Sequence, residues 1–277
     1  MTEPAIAILP YGRSLSRAAS SIPLDDLVWP LGRPDRLGQG RLADLAPTDH
    51  LIVYPRTGLH LRPDWGTRAR VSLFLGEPAV IHARHHAVLR LSHRRFFQVL
   101  TFDRGLLARL PNAVLFPLGS TWVPDWQSID TTKTDLCSLI ASSKRGTEGQ
   151  MMRHRIVDWA RATGQEVEVM GGGYRPFAAK SDGLARFRFS VVIENAMEEN
   201  YFSEKLVDAV LCGTVPIYWG CPNLGDFFDT AGIIHCRDEA ALRSAISGAS
   251  VDEYVRRLPA LRAIRDAVAA YAPLERR

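Results

Sequence analysis

The chain has 277 residues, 46% hydrophobic and 23% charged, with a formal net charge of +4. That length suits two domains better than one, and that composition excludes a disordered or fibrous chain. The charge is too small and too dispersed to argue for nucleic acid, but it suits an anionic ligand such as a nucleotide diphosphate. The N-terminal run MTEPAIAILPYGRS lacks a basic region followed by an apolar core, and no apolar run has the length to span a bilayer. Cys137, Cys212, Cys221 and Cys236 follow no zinc or redox spacing and are expected to be reduced and buried. A cytoplasmic protein is the expectation.

In chain order, strands are predicted over Ala5–Leu9, Leu51–Tyr54 and Arg70–Leu75, the last running into Gly76-Glu77-Pro78. A helix is predicted over Ala83–Arg95, a strand over Phe97–Thr101, a short helix over Arg104–Leu110 and a strand over Ala113–Phe116. Residues 119–130, rich in Trp, Asp and Ser, are taken as a linker. The boundary is placed there, giving domains 1–130 and 131–277. The alternation restarts with a strand over Asp135–Ala141, a polar loop over 142–150, a helix over Met151–Thr163 and a strand over Glu166–Met170 closed by Gly171-Gly172-Gly173. A strand over Phe187–Glu194, a helix over Glu204–Cys212 stopped by Gly213, and a strand over Thr214–Trp219 follow. Helices over 239–247 and 252–270 complete the chain, the last able to cross back to the first domain. Repeated strand–helix units in two halves predict an α/β protein of two Rossmann-like domains facing across a cleft.

The segment Phe189–Gly220 carries the most chemistry. Its buried strand ends in Glu194-Asn195, where an α/β sheet presents ligands. Ser203 is the predicted N-cap of the following helix, whose free N–H groups and dipole make an anion site. Lys205 in the first turn is mildly unfavourable by itself and so points to an anionic partner. Glu204 can accept hydrogen bonds from sugar or ribose hydroxyls, and Tyr218 with Trp219 can form an aromatic floor. A solvated loop with a chance Glu-Lys pair is the bland alternative.

Glu194-Asn195, then Tyr201-Phe202-Ser203-Glu204-Lys205-Leu206-Val207-Asp208-Ala209, then Gly213-Thr214-Val215-Pro216-Ile217-Tyr218-Trp219-Gly220 resembles the donor-binding motif of the α1,3-fucosyltransferase family. A looser similarity runs from Leu136 to Ile246. The resemblance implies the GT-B fold, GDP-fucose as donor, inversion at the anomeric carbon, and no metal or other cofactor. It implies that Asn195 and Tyr201 contact the diphosphate or donor sugar, that Glu204 holds hydroxyls and that Lys205 neutralises phosphate. A phosphate-binding arginine is implied on the first helix of the second domain, where Arg153 fits the register better and Arg155 is the alternative. A general-base glutamate is implied in a Gly-Glu context, which Glu77 supplies at the end of a strand. The alternative for Glu77 is an ordinary turn carboxylate.

Gly171 and its neighbours, followed by Tyr174 and Arg175, form a turn that lets backbone approach the donor, although no GxGxxG pattern is present. His82, His85 and His86 cluster in IHARHH, but no carboxylate or cysteine nearby completes a metal set. Arg84, Arg90, Arg94 and Arg95 accompany them without an acidic residue. That face suits an anionic acceptor or the headgroups of the inner membrane face, against a plain solvated surface. Glu198 and Glu199 depart from the family's usual small or polar residues. The expected function is fucosyl transfer to a glycan or glycolipid of a bacterial surface polysaccharide. The alternatives are a same-fold transferase using another sugar nucleotide, or a nucleotide-binding protein without transferase activity.

Overall fold

A computed structural model describes residues 3–15 and 18–276. The chain divides into two compact units, Met1–Phe116 and Pro117–Glu275. The division falls earlier than the sequence boundary because the Trp-rich segment 119–130 belongs to the second unit. Val123 lies in that unit's core, and Thr121 and Trp122 bond to Asp208.

The first unit is a five-stranded parallel sheet of β1 (Ile6–Ile8), β2 (His50–Val53), β3 (Arg70–Leu75), β4 (Val99–Thr101) and β5 (Ala113–Leu115), in that spatial order. Helix α1 (Ala79–Ser92) joins β3 to β4 and α2 (Arg104–Arg109) joins β4 to β5. Helix α1 starts four residues before its sequence expectation because Pro78, which fixes its own φ, takes the N-cap position. Short 3₁₀ turns, such as Leu24–Asp26 and Leu42–Asp44, replace a helix between β1 and β2. The central strand β3 buries every residue from Val71 to Leu75, the pattern of a parallel strand covered on both faces. Its carboxyl end delivers Gly76 and Glu77.

Asp49 ties the start of this sheet together. Its carboxylate is fully buried, accepts from the N–H of Ala5 (2.9 Å) and of Ala46 (2.8 Å), and pairs with Arg36. Burial alone would push this carboxyl up, but Arg36 and the two backbone donors hold it below the usual range.

The second unit contains β6 (Asp135–Ile140), β7 (Val167–Met170), β8 (Phe187–Ile193), β9 (Val215–Trp219) and β10 (Ile234–His235). All pair in parallel, in the order β10-β9-β8-β6-β7. Its helices are α3 (Glu148–Ala162), α4 (Glu204–Leu211), α5 (Glu239–Ser247), α6 (Val251–Ala263) and α7 (Arg265–Ala269). The last two replace one expected helix; they meet at Ile264, and Val268 packs into this unit's own core. Helix α3 begins three residues early because Thr147 caps it, accepting from the N–H of Gln150. Leu139, Phe189, Leu206 and Ile217 are fully buried between the layers, each contributing ~2 kcal/mol of transfer free energy. All four cysteines are free and buried.

The strand order reverses between β6 and β8. Chain connections leave those two neighbours in opposite directions, the point at which open α/β sheets take their ligands. Glu194 and Asn195 follow the carboxyl end of β8 at that point. The first sheet has no such reversal.

Replacing Asp49 by Ala leaves Arg36 and two buried N–H groups without their acceptor. Denaturant titration should show a loss of about 3 kcal/mol.

Candidate functional site

Glu194 follows β8 and has no solvent exposure. One carboxylate oxygen accepts the Ser203 N–H (2.8 Å) and the other the Ser203 hydroxyl (2.6 Å). Gly220 makes the close approach at the end of β9 possible, since a Cβ there would lie 2.6 Å from Glu194 Cγ and 2.5 Å from Tyr218 Oη. Ser203 in turn caps α4, as the sequence predicts, with its Oγ facing the Lys205 N–H (3.4 Å).

Lys205 turns back over its own cap. Its Nζ donates to Ser203 Oγ (2.9 Å) and Glu204 Oε1 (3.1 Å) and lies 3.4 Å from Glu194 Oε2. Burial draws its pKa down, but Glu194 and Glu204 outweigh that and raise it. For Glu204, burial pushes upward while Lys205 and Lys180 pull the carboxyl down to about 2. Both groups are therefore ionised near neutrality. Two internal carboxylates thus balance the lysine at this helix start. One quarter of the Lys205 side chain remains exposed.

Arg153 enters from α3. It donates from Nε (3.0 Å) and Nη2 to the Ile193 carbonyl, and from Nη2 to Asn195 Oδ1 (3.1 Å). Burial lowers its pKa, and Glu194, Tyr201 and Glu204 oppose that. Arg155, two residues on, points to the other side of the helix and pairs with Glu239 on α5 (2.7 Å). The structure thus brings Arg153, Asn195, Glu194, Ser203, Glu204 and Lys205 together and leaves Arg155 out.

Tyr201 and Tyr218 are fully buried, so neither ring meets a ligand in this conformation. Tyr218 instead accepts the Cys221 N–H (2.9 Å), and Trp219 is likewise a core residue rather than an open floor. Gly171 adopts φ +111°, and a Cβ there would lie 2.4 Å from the Ala141 carbonyl oxygen. Its loop packs on the end of β6, a structural need that explains the glycine by itself. Glu77 lies in the other unit, half-buried between β3 and α1. Among the described residues no group of three His, Cys, Asp or Glu side chains is placed to hold a metal ion.

Four contributors were missed. Gly149 in the first turn of α3 lies against β8, where a Cβ would fall 1.7 Å from the Glu194 carbonyl oxygen. The string Thr147-Glu148-Gly149-Gln150 has the T-x-x-Q spacing of a helix start, which was the available signal. Lys180 pairs with Asp208 (2.8 Å), lies 3.7 Å from Glu204 Oε1 and sits 4.8 Å over the Trp122 ring. The buried Asp208 carboxylate also accepts from the Thr121 hydroxyl (2.6 Å) and the Trp122 N–H (3.1 Å). His154 is buried between Tyr174 Oη (2.6 Å) and the Lys144 carbonyl (3.1 Å). A carbonyl only accepts, so Nε2 carries a proton, and in the neutral ring Nδ1 accepts from the tyrosine.

No protein-family model matches the chain. A Helicobacter pylori alpha-(1,3)-fucosyltransferase is 32% identical over 59 residues, 21% of this chain and 12% of that protein. A fucosyltransferase-like protein of Arabidopsis thaliana is 35% identical over 68 residues, 24% of this chain and 13% of that one. The matched stretches thus span about an eighth of these curated relatives. Among solved structures, an α1,3-fucosyltransferase with GDP superposes with a TM-score of 0.53 at 16% identity, covering 82% of this chain and 81% of that one. TarM of S. aureus, in a complex containing UDP, gives 0.56 at 10% identity, covering 83% of this chain and 54% of that one. The fold is GT-B, and the resemblance to the fucosyltransferases holds in short sequence stretches and in the overall fold.

Gly149→Ala should force α3 away from β8 and destabilise the chain by about 3 kcal/mol in denaturant titration. Arg155→Ala should leave stability close to wild type. The Glu204 carboxyl is depressed on folding, so its stabilising contribution is complete above its ordinary pKa of 4.5 and is lost as pH falls towards about 2. Glu204→Gln should therefore flatten the acid limb of a stability-against-pH curve.

Proposed function

We propose that this chain is an inverting glycosyltransferase that moves fucose from GDP-fucose to a hydroxyl of a glycan or glycolipid acceptor. The observation that carries the reading is the convergence of Arg153, Asn195, Glu204 and Lys205 at the strand-order reversal of a GT-B unit. The fucosyltransferase relatives and the solved α1,3-fucosyltransferase with GDP support it.

The charge-paired state suggests how a donor enters. Glu204 and Lys205 neutralise each other through a direct hydrogen bond. An arriving diphosphate takes over the ammonium, and the released carboxylate is left to accept hydrogen bonds from ribose or sugar hydroxyls. One ion pair thereby supplies both recognition groups. Arg153 fixes Asn195 at the same edge.

In the transfer step the acceptor oxygen attacks C1 of the donor sugar while Glu77 takes the hydroxyl proton. The C1–O bond to the β-phosphate breaks, and its electron pair leaves with the diphosphate. Lys205 and Arg153 oppose the rising negative charge, so the reading assigns that work to side chains and requires no metal. A cytoplasmic enzyme building a bacterial surface polysaccharide is the setting that fits this proposal. A UDP-sugar is the second reading for the donor, favoured by the likeness to TarM in its UDP-containing complex.

Purified chain should be stabilised against heat by GDP and GDP-fucose and less by UDP, since a ligand bound only by the native state raises its apparent stability. The reverse order would replace the fucose assignment by the second reading. Glu77→Gln should keep the GDP-induced shift and lose transfer by about 10²–10⁴-fold. Full transfer by that variant would remove Glu77 from the mechanism, and GDP binding without transfer of any sugar would make the chain a nucleotide-binding protein.

A further inference from the structure

Helix α1 presents an unusual surface. The helix is kinked at His82, where φ is −104° and ψ 18°. After the kink Arg84, Ala87 and Leu91 follow one another three or four residues apart, flanked by Ala83 and Arg90. Val80 and Ile81 precede the kink, and Arg94 and Arg95 lie on the 3₁₀ turn His93–Arg95 that follows α1. All nine are exposed. Leu91 is 92% exposed, Val80 59% and Ile81 44%. A helix packed on a soluble sheet normally turns a polar face outward. Here the outward face consists of aliphatic side chains and arginines alone.

The charges have one sign. Residues 78–102 contain no Asp or Glu. Arg95 stacks over Trp65 (5.7 Å), whereas among the described residues no ion pair involves Arg84, Arg90 or Arg94. The nearest acid in sequence, Asp103, is committed elsewhere: it caps α2 through the Leu106 N–H (2.6 Å) and lies 3.8 Å from His86. Among the described residues no helix is long and apolar enough to cross a membrane.

We infer that the outer face of α1 is a docking surface for an anionic lipid bilayer. Exposed aliphatic side chains on both sides of the kink can enter the boundary between headgroups and acyl chains, while the arginines among them reach lipid phosphates. A second copy of this chain is a poorer occupant, because two-fold pairing of α1 on α1 sets arginines against arginines. A soluble anion would satisfy the charges and leave Leu91, Val80 and Ile81 in water. Only a surface that is anionic outside and apolar just beneath uses both sets. The docking inference stands on α1 and does not depend on the donor reading.

The test is co-sedimentation of the full chain with vesicles of phosphatidylcholine alone or with about 30% phosphatidylglycerol. At about 0.1 M salt, wild type should sediment with the anionic vesicles only, and high salt should release it. The triple variant Arg84→Glu, Arg90→Glu, Arg94→Glu should lose binding by about tenfold or more, and Leu91→Ser severalfold. Far-UV circular dichroism and melting of both variants control for folding; the substituted side chains are exposed. Wild type left in the supernatant with anionic vesicles, or a triple variant that binds as wild type does, overturns the proposal. So does a dimer in gel filtration that Leu91→Ser abolishes while vesicle binding is unchanged.

Discussion

A carboxylate without access to water organises the second unit's ligand-facing edge. Glu194 binds both the N–H and the hydroxyl of Ser203 and faces the ammonium of Lys205. An unpaired ion in that position would cost several kcal/mol, so the three groups must be assembled together. The consequence is geometric. The carboxyl end of β8, the cap of α4 and the first-turn lysine are fixed relative to one another by these contacts. Gly220 and Gly149 belong to the same constraint, because a side chain at either would push its element off Glu194.

Around that carboxylate the charges balance locally. Arg153, Lys180 and Lys205 face Glu194, Glu204 and Asp208. Such a cluster is not strongly attractive to anions at long range. Its value is that the cations are ordered, partly desolvated and held in register, which is the condition for stabilising charge that develops late in a reaction. Trp122 is tied to this cluster through its backbone N–H on Asp208 and through Lys180 beneath its exposed ring. The segment that carries it therefore moves with α4 and belongs to the second unit.

Much of this was legible in the chain itself, and the reasons differ from element to element. The strands β3, β6, β8 and β9 are buried on both faces and read as apolar runs. The Ser203 cap and Gly213 stop follow from backbone rules that act locally. The choice between Arg153 and Arg155 needed three dimensions, because both lie on one helix and only its rotation decides which one meets Asn195. Tyr201 and Tyr218 illustrate the opposite limit: polar aromatic residues beside a site motif look like ligand contacts, yet their rings complete the core. The partners Lys180 and Asp208 are 28 positions apart and carry no local signature. The pairing of Lys205 with Glu194 spans a loop whose path no pattern announces.

The account's central claim is that the Glu204–Lys205 pair opens to admit a nucleoside diphosphate. The most direct measurement is a structure of the chain with GDP bound. The account predicts a phosphate oxygen within hydrogen-bond distance of Lys205 Nζ, with Glu204 turned onto a ribose hydroxyl and Glu194 still holding Ser203. A diphosphate bound elsewhere, with Lys205 still donating to Glu204, would contradict it.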